Sequence, residues 1–163
     1  YTSFDELNNY IPENFNTEKL CAMIALGSFS IDKVPDSDRS IVKNLRLIFK
    51  KQQQDEALEY SKRLIDKGYN VFIHPTFLSN YDYTEIYLIV KKIHKLNPFC
   101  MSIVDSIGAF QNKQLLQIFD IINDNLNPDI YLCFHSHNSF KIYIKIVIIT
   151  IIFLVIFCII IRT

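Results

Sequence analysis

"LRLIFKKQQQDEALEYSKRLIDKGYNVFIHP", residues 45–75, decides the fold. Two short runs rich in β-branched and aromatic residues, "LRLIF" (45–49) and "NVFIH" (70–74), flank a segment with helical spacing. Each run is too short for a typical helix and reads as a strand. Between them Ala57, Leu58, Ser61, Leu64 and Ile65 fall on one helical face, and Gly68 supplies the stop. A strand, a helix and a second strand over about 30 residues form a βαβ unit, whose crossover makes the two strands parallel.

The same alternation extends in both directions. "LCAMIAL" (20–26), "FCMSIVD" (99–105) and "IYLCFH" (130–135) read as further strands, and their near-continuous apolar character suits a parallel sheet covered on both faces. Helical stripes separate the later ones: Ile86, Ile89, Val90 and Ile93, opened by a capping box of Asp82 and Glu85 and closed by Pro98, then Leu115, Ile118, Phe119, Ile122 and Leu126. Serial βα units form either an open doubly wound sheet or a (β/α)8 barrel, and in both the ligands gather at the carboxyl ends of the strands. Five strands fall short of a full barrel.

Composition narrows the function classes. The 17 basic and 17 acidic side chains cancel, and the lysines are interspersed with carboxylates, so no stripe invites a nucleic acid. Cys21, Cys100, Cys133 and Cys158 stand singly, without a C-x-x-C pair, which predicts small buried hydrophobes in a reduced, cytoplasmic protein.

Residues 1–140 are read as one domain and 141–163 as a hydrophobic tail. "IVIITIIFLVIFCIII" (146–161) would reach about 24 Å as a helix, short of a hydrocarbon core of about 30 Å. Including residues 142–145 makes a marginal span, with Lys141, Lys145 and Arg162 at its ends. A frameshift or truncation is the favoured reading of this tail, and a membrane anchor through 142–161 the alternative.

The predicted strand ends carry polar residues: His74, Asp105 with Ser106, and His135 to Asn138. On an extended strand His135 and His137 point the same way, so two imidazoles can converge on one point. Neutral imidazole binds divalent metals well, but H-x-H alone is a weak signal and favours a surface or hydrogen-bonded pair over a metal site. Asp105, His74 and Asn138 are possible pocket residues, with a loop cap as the other reading of Asp105-Ser106. His94, within a helix, is expected to be an exposed or partly buried helix residue.

"SIVDSIGAF" (102–110), followed after one helix by "NPDIYLCFHSHN" (127–138), resembles strands six and seven of the HMG-CoA-lyase-like superfamily. That group includes pyruvate carboxyltransferase domains, isopropylmalate and homocitrate synthases, and 4-hydroxy-2-oxovalerate aldolase. Residues 45–75 resemble strands four and five of its aldolase-like members, and the similarity covers roughly 17–140. The resemblance implies a partial TIM barrel, strands three to seven, in which Mn2+ or Mg2+ holds a small 2-oxo acid during carbon-carbon bond cleavage or formation. It implies His135 and His137 as metal ligands and Ser106, with His135, at the substrate. The family's strand-one Asp-Arg dipeptide has no counterpart in residues 1–30, nor is its downstream Gly-rich loop found. A weakly active or inactive aldolase, lyase or acyltransferase is therefore expected; a non-catalytic remnant or interaction module, pairing with a second copy or a complementing chain, is the alternative.

Overall fold

A computed structural model describes Phe4, Ile11 and residues 16–108 and 110–137. Its core elements are β1 (Cys21–Ala25), β2 (Asn44–Phe49), α1 (Gln54–Asp66), β3 (Asn70–Pro75), α2 (Tyr83–Leu96), β4 (Cys100–Asp105), α3 (Asn112–Asn125) and β5 (Tyr131–Ser136). All four strand pairs are parallel, and the order is β1-β2-β3-β4-β5. Sequential order separates this sheet from the doubly wound alternative, where the strand order reverses. Crossovers of one hand in one direction bring successive helices to the same face of the sheet.

The helical stripes form as their spacing requires. Ile86, Ile89, Val90 and Ile93 of α2 are fully buried, as are Ala57 and Leu64 of α1 and Ile118 and Ile122 of α3. They share one core with Leu45, Leu47 and Phe49 of β2, Val71 and Ile73 of β3, and Met101 and Ile103 of β4. The capping box is made in both directions: Glu85 N–H donates to Asp82 Oδ1 at 2.8 Å and Asp82 N–H to Glu85 Oε2 at 2.8 Å. Asn97, in the left-handed region at φ 52°, ends α2 just before Pro98.

The first crossover departs from the pattern. Between β1 and β2 stand only two 3-10 turns, Ile31–Lys33 and Ser37–Arg39. Pro35 lacks an N–H and disfavours helical backbone at Val34, while Ser30 turns its hydroxyl to the Asp32 N–H.

Strand parity divides the sheet into two chemically different faces. Leu45, Leu47, Val71, Ile73, Met101 and Ile103 face the helices, and their register neighbours on β5 are Leu132 and Phe134. The opposite face holds Arg46, His74, Cys100, Ser102, Val104, Cys133 and His135. Several of these are buried, but none belongs to the helix-side core.

Cys100 and Cys133 are buried as expected, and the hydrogen bond with the Cys133 thiol, then burial, pushes the Cys100 thiol up. Cys21 departs from expectation and is exposed, because β1 is an edge strand among the described residues. No helix among the described residues is long and apolar enough to cross a membrane. The hydrophobic tail, Cys158 and Asn138 lie outside the described residues.

Candidate functional site

The carboxyl ends of β3, β4 and β5 bring three imidazoles together on the face away from the helices. His135 and His137, two residues apart at the end of β5, place their Nε2 atoms 3.3 Å apart. That distance admits a hydrogen bond between the rings, with the donor set by the tautomer. It matches two ligands on one cation: metal-nitrogen bonds of about 2.0–2.1 Å at 90–109° separate the nitrogens by about 2.9–3.4 Å. The spacing is one that two ligands of a divalent cation would have. Among the described residues no group of three or more His, Cys, Asp or Glu side chains is placed to hold a metal ion.

His74 completes the cluster. Its ring meets that of His135 edge to face, with centroids 4.9 Å apart. The two residues come from β3 and β5, so their side chains lean toward each other over β4. Ser102 and Val104, on the same face of β4, are buried there. Burial, then the Arg46 guanidinium and the neighbouring imidazoles, hold the His74 pKa down at about 3. Burial first, then His137 and Arg46, also lower His135. Both rings are thus held neutral near pH 7, the form that can donate a lone pair to a metal. The Nδ1 atoms of His74 and His135 are buried and have no hydrogen-bond partner in the structure.

Asp105 is not part of this cluster. It pairs with Ser136 while Val104 pairs with His135, so Asp105 lies on the helix side. It is fully buried there, its Oδ2 accepting from the Phe110 N–H at 3.4 Å and its carbonyl from the Gly108 N–H at 3.3 Å. One residue of register sets the face, and here it turns Asp105 toward the loop that follows β4.

Ser106 sits at the edge between the two loops, and its Oγ accepts from the Phe77 N–H at 2.7 Å. Phe77 holds φ 53°, an uncommon conformation for a bulky residue, next to the site. Its side chain and that of Ile107 remain exposed at this rim. His94 is exposed on α2 and away from the site.

Arg46 was missed in the sequence, although it is buried on the imidazole face and shifts both histidines. The available signal was a cation in the middle of the apolar run "LRLIF".

No family model matches the chain, and no curated protein matches it. Among solved structures it is similar to the "N-terminal domain of a putative aldolase from Bacteroides vulgatus", with a TM-score of 0.71 and 18% identity. The match covers 96% of this chain and 52% of that one, so the chain spans about half the length of its structural neighbour. The likeness shows the fold alone, an α/β fold with a five-stranded parallel sheet compatible with part of a TIM barrel.

Proposed function

We propose that the chain carries the cation-binding part of a TIM-barrel aldolase or lyase site for small 2-oxo acids. The observation that carries this is the 3.3 Å separation of His135 Nε2 and His137 Nε2 at the carboxyl edge of a sequentially ordered parallel sheet. The aldolase-like fold of the structural neighbour supports the same reading. So does the meeting of His74 and His135 over β4, because side chains of alternate strands form the interior layers of such barrels.

In this reading His135 and His137 hold Mn2+ or Mg2+, which as a Lewis acid stabilises negative charge developing on a 2-oxo group. Two imidazoles leave the other positions to carboxylate, keto or water oxygens. Ser106 is already committed to the Phe77 N–H, so it shapes the rim and contacts substrate through its remaining hydrogen-bonding capacity. Asn138 and a cytoplasmic location remain part of the reading.

Calorimetric titration with pyruvate tests the proposal. Binding is expected only with Mg2+ present and is lost in His135→Ala. Metal-independent binding, or binding unchanged by that substitution, would contradict it.

A second reading rests on the edges. β1 and β5 each have one sheet partner among the described residues, and Met23 on β1 is 60% exposed. Pairing with a second copy or a complementing chain would cover them. A concentration-independent monomer in sedimentation would exclude self-pairing.

A further inference from the structure

We propose that His74 is a positioning residue for His135, setting the ring orientation on which the two-imidazole bite depends. Among the described residues His135 makes ring contacts with His74 and with His137. Its flanking residues Phe134 and Ser136 point to the opposite face, and His137 is exposed beyond the strand end. Its Nδ1 has no hydrogen-bond partner, so the usual device for fixing a metal-ligating imidazole, a donor bond from the second ring nitrogen, is not made in the structure.

His74 supplies a steric substitute. It is 4% exposed, carried in mid-sheet by a strand paired on both sides, and cannot move without disturbing β3. Its ring lies edge to face with His135 at an interplanar angle of 78°, and His135 makes a second such contact with His137 at 68° and 5.1 Å. The three rings form a chain in which the buried member, His74, is the anchor. An aromatic ring at residue 74 is what this role requires; the nitrogens of His74 are secondary.

The cation arm of the test presupposes the site proposed above, whereas a ring-NMR arm on the metal-free chain does not. His74→Leu keeps apolar bulk but removes the ring, and His74→Phe restores a ring of similar shape. Leu47→Ala, a core cavity on the helix side, controls for general loosening. In the metal-free wild type, His135 ring signals should form one sharp set with a nuclear Overhauser contact to His74. They should broaden or split in His74→Leu and recover in His74→Phe. Mn2+ affinity should fall about tenfold in His74→Leu, the scale found when the support of a metal ligand is lost, and stay within about threefold in His74→Phe. Leu47→Ala should leave it unchanged.

Unchanged His135 ring signals in His74→Leu would overturn the positioning role. Unchanged Mn2+ affinity there, with binding abolished by His135→Ala, would overturn it while leaving the cation site standing. If the wild type bound no Mn2+, the cation site would fail, and the ring signals alone would decide the role of His74.

Discussion

Ser106 and Phe77 show how one hydroxyl shapes the rim of the site. The left-handed backbone at Phe77 is costly for an aromatic residue and is held by its N–H donating to Ser106 Oγ. Ser106→Ala should cost about 1 kcal/mol locally, seen as faster hydrogen exchange at the Phe77 amide than at the core amide of Ile73. Tyr81 offers a test of burial. Its hydroxyl is buried without a hydrogen-bond partner, and burial first, then the Glu85 carboxylate, pushes its pKa up to about 12. The folded state holds this proton longer than the unfolded chain, so the contribution is intact below pH 10 and declines as pH rises from 10 toward 12. Tyr81→Phe should be neutral or stabilising at pH 7 and should flatten that alkaline decline, as measured by urea unfolding at a series of pH values.

Residue chemistry was partly legible in the sequence. His137 follows His135 by two residues at the end of β5, so their common direction follows from a period of two whatever the neighbouring strands do. The face of Asp105 relative to His135 depends on the register between β4 and β5, which the sequence does not show. Val104, not Asp105, turned out to oppose His135. The contact of His74 with His135 was hidden for a similar reason, since it joins strands two places apart and 61 residues distant in sequence.

At the scale of elements, local signals and structure agree where burial is strong. The α2 stripe, its capping box and its stop before Pro98 all form, because each is satisfied within a few residues. The segment between β1 and β2 resists such reading: Ser, Asp and Pro offer the backbone local bonds and deny it a helix. Gly68 joins the two regimes. It follows α1 with φ +85°, and an added Cβ would lie 2.6 Å from Ser37 Oγ on the first crossover. Gly68→Ala should destabilise the chain by about 1–2 kcal/mol through the left-handed backbone and this contact, read as a lower urea midpoint with an unchanged slope.

For the whole molecule, sheet order matters more than any single motif. Sequential parallel strands put the helices on one face and leave the other for Arg46 and the imidazoles. A hydrophobic core and a polar site are thereby kept on opposite sides of one sheet, and the site sits at the strand ends. The central claim is that this polar face binds a divalent cation through His135 and His137. Electron paramagnetic resonance of free Mn2+ during titration of the chain measures it most directly. The account predicts one site per chain, lost in His135→Ala and in His137→Ala with the fold retained by circular dichroism. Mn2+ binding unaffected by either substitution, or no binding to the folded chain, would contradict it.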